Sequence, residues 1–255
     1  MPLIERDSDG VAHIVALSGG HDSTSLAFLL KEREPRPYNY LCTPTGDELP
    51  SMFEHWLNLG ERLGKRLLPI MAGTLDSIVA EEGMLPNFRS RFCTRRLKIE
   101  PYRKFLFEQA ALGPIVSYVG LRADEPGRAG GAYDDIPGVS MRFPLREWGV
   151  GENEVQATLQ RFGIVCPDRT DCARCYHQRL GEWYEFWLYY PERAAEAAEW
   201  EAASGHTLRS PGRDAWPVAL KDLFAAFASG RIPTISLNRM KRERMQAGAC
   251  RVCSM

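Results

Sequence analysis

Residues 18–24 read Ser18-Gly19-Gly20-His21-Asp22-Ser23-Thr24, directly after the apolar run 13–17 and before an apolar, helix-like segment. A strand, a glycine turn and a helix in that order aim backbone N–H groups, and the positive end of the helix, at a phosphate. The paired glycines let the main chain approach an oxyanion, and Ser18, Ser23 and Thr24 add hydroxyl donors. No Gly-Lys-Ser/Thr follows, as a Walker A loop requires, and the adjacent glycines do not fit a dinucleotide Gly-x-Gly-x-x-Gly. Three further clusters carry chemistry. Residues 89–98, Arg-Ser-Arg-Phe-Cys-Thr-Arg-Arg-Leu-Lys, set Cys93 among five cations, which suit phosphate or sulfate and would lower a thiol pKa. Residues 120–128 place Arg122 and Arg128 after an apolar run that ends at Gly120, with Asp124 and Glu125 between them. These arginines could neutralise charge at an α-phosphate while Asp124 or Glu125 helps hold Mg²⁺. Finally, Cys172-x-x-Cys175 and Cys250-x-x-Cys253 are two half-sites for a metal, with Cys93 and Cys166 apart from them and Cys42 on an apolar run, where it reads as a small buried hydrophobe.

The elements that must position these residues follow from patterning. Apolar runs at 13–17, 38–42, 66–71 and 115–120 alternate with helix candidates at 23–33, 51–64, 75–82 and 98–112, the pattern of a parallel sheet with helices on both faces. In the second helix candidate, Phe53, Trp56, Leu57 and Leu63 are expected to face the sheet. Ligands of such sheets bind beyond the carboxyl ends of the strands, where 18–24, the polar turn at 43–50 and 120–128 all fall. The glycine-rich stretch 127–138 reads as a mobile loop or lid. Beyond Arg142 the character changes to helical: 151–162, a long Trp/Tyr/Ala/Glu-rich stretch at 178–204, and a candidate within 211–233. We therefore expect a nucleotide-binding α/β domain over 1–145 and a mostly helical, cysteine-bearing region over 146–255.

Composition bounds the function classes. The chain has 255 residues, 44% hydrophobic and 25% charged, as in an ordinary globular protein. A net charge of −1 gives no global attraction to nucleic acid, so any such contact must be local, and residues 240–244, Met-Lys-Arg-Glu-Arg, are one small basic patch. No apolar run approaches the ~20 residues that span a bilayer, and the first residues lack a signal-peptide core, so a cytoplasmic protein is expected, without membrane partners. Seven cysteines in a reducing compartment point to metal or catalysis before disulfides.

The loop Ser-Gly-Gly-x-Asp-Ser-Thr resembles the PP-loop of the ATP pyrophosphatases, the adenine nucleotide α-hydrolases. Thr45-Gly46 followed by an acidic residue, Cys93-Thr94-x-x-x-Lys98-x-x-Pro101, and Gly120-x-Arg122-x-x-Glu125-x-x-Arg128 are similar to segments of the phosphoadenosine phosphosulfate (PAPS) reductase-like branch. The resemblance implies an α/β doubly wound parallel sheet of the adenine nucleotide α-hydrolase kind. It implies ATP and Mg²⁺ as cofactors, held by Ser18, Gly19, Gly20, Asp22, Ser23, Thr24, Thr45, Gly46 and Gly120. It gives Asp22, Cys93, Arg122 and Arg128 catalytic roles. A 4Fe–4S cluster would take Cys172 and Cys175 with two of Cys93, Cys166, Cys250 and Cys253; the other reading is a zinc ion joining the two Cys-x-x-Cys pairs.

Two departures bear on activity. PAPS reductases that use a cluster carry adjacent cysteines, whereas Phe92 precedes Cys93. Their Glu-Cys-Gly-type tail is replaced by Gly248-Ala249-Cys250-Arg251-Val252-Cys253. The expected reaction is therefore cleavage of ATP to AMP and pyrophosphate, adenylating an acceptor for sulfur or nitrogen transfer. The acceptor is left open between nucleic acid and a small metabolite, and a sulfur-donor protein is a candidate partner. The alternative is a thioredoxin-dependent reductase of PAPS or a related sulfonucleotide, with Cys250 or Cys253 as nucleophile.

Overall fold

The computed structural model describes residues 4–128, 130 and 133–234. Five parallel strands form one sheet: β1 (Ala12–Ala16), β2 (Tyr38–Cys42), β3 (Leu68–Pro69), β4 (Ile115–Tyr118) and β5 (Val139–Arg142), in the order β3-β2-β1-β4-β5. The chain runs outward from β1 to β3, returns, and places β4 on the other side of β1. The gap beyond the carboxyl ends of β1 and β4 is thus the point where the winding reverses, and there ligands of doubly wound sheets bind.

Alternation along β1 shows why both faces are covered. Val15 joins Leu26, Leu29 and Leu30 of α1 (His21–Arg33), Leu59 and Leu63 of α2 (Pro50–Leu63), and Val155 and Leu159 further along the chain. Ala12 and Ile14 point the other way, to Tyr102, Phe105 and Leu106 of the helix Glu100–Ala110. Side chains two apart on a strand share a face, so one five-residue strand serves two cores. Between these lie α3 (Leu75–Glu82) and the short α4 (Phe92–Thr94). A π-turn, Arg95–Ile99, leads from α4 into α5 (Glu100–Ala110). After β5 come α6 (Pro144–Glu147), α7 (Glu152–Arg161), α8 (Leu180–Tyr189), α9 (Pro191–Ser204) and α10 (Leu220–Ala228).

The expected doubly wound parallel sheet is present, with four corrections. A fifth strand follows the glycine-rich stretch, and Tyr133 and Ile136 of that stretch are buried core residues, so its second half is a packed connection. Phe53 and Leu57 are 47% and 70% exposed, while Met52, His55, Leu59 and Leu63 form the buried stripe of α2. The long helical stretch is broken at Tyr190–Pro191, because proline cannot extend a helix from its interior and pushes the preceding residue out of the α region. Finally, α7 packs on α1, in the core that holds Val15. A third core joins Leu75, Ile78, Phe92 and Leu97 to Trp183, Phe186, Leu220 and Leu223, tying α8 and α10 to α3 and α4.

Candidate active site

The loop after β1 has the geometry an anion would need. Gly20 caps α1, Ser23 Oγ donates to Gly20 O at 3.2 Å, and the hydroxyls of Ser18 and Ser23 are 3.0 Å apart. Gly19 has φ +90°, and a Cβ there would sit 2.8 Å from Trp56 Nε1 and 2.9 Å from Met52 Cε, so only glycine fits. Helix α2 braces this loop from behind. His55 Nε2 donates to Gly19 O at 3.0 Å, and Trp56 Nε1 donates to Ser18 O at 3.0 Å. With these carbonyls turned back and bonded, the open side of the loop is left to donors. Neither residue was singled out for this role in the sequence, since a histidine and a tryptophan on an amphipathic helix read as packing. Burial pushes the imidazoles of His55 and His21 down, toward the neutral form.

Gly120 lies two residues past the end of β4, where the chain touches the loop. A Cβ there would lie 3.0 Å from Ser23 N and 3.1 Å from Asp22 C and O. Past it, Arg122 and Arg128 converge on the buried Asp22, at 3.4 and 3.2 Å. Burial pushes the Asp22 carboxyl up, against the downward pull of these two guanidinium groups. Asp124 accepts from Arg122 Nε at 2.9 Å, and Glu125 pairs with Arg122 at 3.3 Å and Arg128 at 2.9 Å. Both Mg²⁺ candidates thus face arginines here. Arg146 of α6 grips the loop from outside, donating to the carbonyls of Arg122 (3.3 Å), Glu125 (2.8 Å) and Arg128 (2.5 Å). One guanidinium fixing three carbonyls is a strong local constraint that no local spacing signals.

These loops wall a cleft lined by Ser18, Asp22, Ser23, Thr43, Thr94, Lys98, Gly120 and Arg128, with Tyr102 and Tyr133 among its aromatic lining. A second, smaller cavity adjoins it, lined by Cys93, Cys172, Cys175, Thr45, Arg174 and Tyr176. Thr94 and Lys98 line both. The Thr94 hydroxyl is buried with no hydrogen-bond partner among the described residues.

The polar turn after β2 is divided between the two cavities. Thr43 lines the cleft, whereas Thr45 lines the cysteine cavity, its Oγ1 3.1 Å from Cys172 Sγ. Glu48 closes the turn by accepting from Thr45 N, Thr45 Oγ1 and Gly46 N at 2.7, 2.8 and 3.0 Å. Fully buried Asp47 accepts from Arg174 N and Arg174 Nε, both at 2.8 Å, and its carbonyl accepts from Ala173 N at 2.7 Å. The acidic pair therefore clamps the Cys172–Cys175 turn onto the sheet.

Of the cysteines, Cys93, Cys172 and Cys175 share one cavity. Cys166 stands elsewhere, beside Thr24 and Asp22, and burial pushes its thiol up to about 12. Cys42 is buried at the end of β2, as a small hydrophobe. Cys250, Cys253 and the basic patch at 240–244 lie outside the described residues. Among the described residues, no three His, Cys, Asp or Glu side chains are close enough to hold one metal ion. Of the five cations expected to serve an anion, Arg95 and Arg96 point outward, to Glu100 at 2.7 Å and to Glu81 and Glu82. Lys98 alone of the five lines the cleft. No described helix is long and apolar enough to cross a membrane.

No protein-family model matches the chain. It is similar to an uncharacterised nin region protein, ORF290, of Escherichia phage lambda, 26% identical over 194 residues. That match takes in 64% of this chain, which spans 65% of the length of the phage protein. Among solved structures it is similar to a PAPS reductase from Candida auris in complex with phosphate, at 13% identity and a TM-score of 0.45, covering 61% of this chain and 74% of that one. It is also similar to the U34-tRNA thiolase NcsA of Methanococcus maripaludis with its [4Fe-4S] cluster, at 16% identity and a TM-score of 0.45, covering 84% and 80%.

Proposed function

We propose that the chain is a PP-loop enzyme that splits ATP into AMP and pyrophosphate to adenylate an acceptor, which then receives sulfur. The observation that carries this reading is the common wall: a phosphate-cradle cleft and a three-cysteine cavity meet at Thr94 and Lys98. A nucleotide-activating site and a sulfur site within one side chain of each other are what activation followed by sulfur transfer needs.

The β- and γ-phosphates would sit on the backbone donors of the Gly19–Gly20 turn and on the hydroxyls of Ser18 and Ser23, so that pyrophosphate is the stabilised leaving group, while the buried Thr24 faces Cys166. Mg²⁺ accompanies ATP, with Asp22 the carboxylate nearest the loop. Arg122 and Arg128 leave Asp22 for the α-phosphate, where attack by an acceptor oxygen on phosphorus expels pyrophosphate and builds up negative charge. Lys98 faces the same phosphorus from the opposite wall. A sulfur nucleophile then displaces AMP from the adenylated acceptor.

Cys93, Cys172 and Cys175 fit an iron–sulfur cluster better than a single zinc ion. Four thiolates at Zn–S of about 2.3 Å crowd one point, and these three surround a cavity instead. A cluster there would be held by Cys93, Cys172 and Cys175 and would supply an iron able to hold sulfur; Lys98 would offset its thiolate charge, and the clamp by Asp47 fixes the loop that carries two of these cysteines.

Incubation of anaerobically purified protein with α-labelled ATP and Mg²⁺ tests the reading. With water in place of the absent acceptor as the nucleophile at the α-phosphorus, labelled AMP and one equivalent of pyrophosphate are expected, and both disappear in Ser23→Ala. Thioredoxin-dependent release of sulfite from PAPS, with no AMP formed from ATP, overturns it in favour of sulfonucleotide reduction.

A further inference from the structure

The turn between α3 and α4 presents a half-exposed ring near two arginines, outside both cavities. Asn87 Oδ1 accepts from Arg89 N at 2.9 Å and Ser90 N at 3.0 Å, and the backbones of 87 and 90 exchange hydrogen bonds at 3.0 and 3.2 Å. This stiff corner holds Phe88 and Arg89 at its tip. Phe88 is 48% exposed yet fixed in place. Its ring stands edge-on to Tyr176 (centroids 5.2 Å, 88°) and to His177 (4.7 Å, 77°). The Arg213 guanidinium lies 5.9 Å from the ring centroid, and its Nη1 donates to Gln178 O at 3.2 Å. Arg89 is exposed and has no ion pair among the described residues. Asp214, next to Arg213, is taken by Arg209 at 2.7 Å.

Position gives this patch its meaning. Tyr176, behind Phe88, and Pro86, two residues before it, both line the cysteine cavity. A half-exposed aromatic ring, with the Arg213 guanidinium over it and exposed Arg89 next to it in the chain, therefore stands at the rim of the cysteine cavity. Packing does not require it, since half the ring is outside the core.

We infer that this rim is a stacking platform for a single-stranded segment of nucleic acid. Every base has a π-face, so an unpaired base stacks on the exposed side of Phe88. Arg89 and Arg213 take the flanking phosphates, for which planar guanidinium forks are suited. An acidic peptide would use the cations and leave the ring idle, and a duplex would hide its base faces. With a net charge of −1 on the whole chain, the attraction is confined to this rim, so binding is modest and falls steeply with salt. The inference rests on the adenylation reading and deepens it by naming the acceptor class: a base adjoining the stacked one enters the larger cleft, whose wall Thr94 and Lys98 share with the cysteine cavity.

Fluorescence anisotropy with a labelled single-stranded RNA of mixed sequence, about five to ten nucleotides long and within the usual site sizes, tests this on the full chain at low salt. Phe88→Ala is expected to weaken binding about tenfold, whereas Phe88→Trp retains it. Arg89→Ser with Arg213→Ser lowers the slope of log affinity against log salt by about 1 to 2. Phe88→Leu keeps an apolar side chain without a π-face and separates stacking from loss of fold, which circular dichroism checks for each variant. Equal binding by wild type and Phe88→Ala overturns the platform. So does a duplex of the same sequence binding as tightly, or an acidic peptide competing as well as the strand. Binding of a fluorescent ATP analogue to the wild type is measured in parallel, so failure of the cleft and failure of the platform read separately.

Discussion

Gly120 and Arg146 set the sharpest requirements at the scale of single residues. A methyl group at 120 would meet backbone atoms of residues 22 and 23 at 3.0–3.1 Å, and backbone cannot swing aside as a flexible side chain does. Gly120→Ala is expected to displace the phosphate loop, cutting AMP formation at least tenfold while costing about 1–3 kcal/mol of stability; steady-state kinetics and urea melts check the two. Arg146→Lys keeps a charge but loses the fork that serves three carbonyls, so Arg122 and Arg128 lose their aim. On the proposed reaction, in which those arginines meet charge developing at the α-phosphate, kcat is expected to fall about tenfold or more with KM for ATP changed less. The loop motifs were legible in the sequence, since Ser18, Gly19, Gly20, Ser23 and Gly120 announce themselves by type and order, and the structure brings Ser18, Ser23 and Gly120 to one cleft. His55, Trp56 and Arg146 do not, since each acts by bonding to a carbonyl, and carbonyls are the same in every residue.

Among the elements, the strands and first helices were legible because period-two and helical patterns are local. Strand β2 and helix α3 fall at the bounds their patterns give. The buried stripe of α2 was misread because its polar members, such as His55, face inward to brace the loop, while Phe53 and Leu57 face outward. Strand β5 was hidden behind glycines, as its four residues pair with β4 through a register that only the fold supplies. Helix α9 offers a test at this scale. Glu201, in a run of alanines and glutamates that reads as solvent-facing, is buried and accepts from Leu208 N at 2.8 Å and Leu220 N at 2.5 Å, joining α9 to α10. Glu201→Ala is expected to cost about 2–3 kcal/mol, measured by urea denaturation, whereas Glu199→Ala on the same helix costs less than about 0.5. The Asp47 clamp is the counterpart between turn and cysteines. Asp47→Ala leaves Arg174 with only the exposed Asp76 and frees the N–H groups of Arg174 that Asp47 held, and is expected to lose about 1–3 kcal/mol, together with any metal or sulfide the purified protein carries.

The whole molecule answers to pH through its buried histidines. His21 and His55 flank the phosphate loop, and burial lowers both below the ordinary imidazole value of 6.5. Below that value the unfolded chain takes up protons that the folded one refuses, so this share of stability is lost as pH falls from about 7 to 5. Replacing both, His21→Asn with His55→Gln, removes that dependence. The melting temperature of the wild type minus that of the double variant is expected to grow from pH 5 to pH 7; a gap that shrinks refutes the sign.

Contact between Gly120 and the phosphate loop also governs how the molecule can admit a ligand. Residue 120 leaves no room for a methyl group against residues 22 and 23, and β1 is paired to β4 beside it, so the floor of the cleft is one packed surface. On the proposed reaction, arrival of the phosphates would then be a swap of partners at the lining side chains: a guanidinium such as that of Arg128 would let go of Asp22 as it takes hold of the incoming anion. Admission and activation would be the same motion.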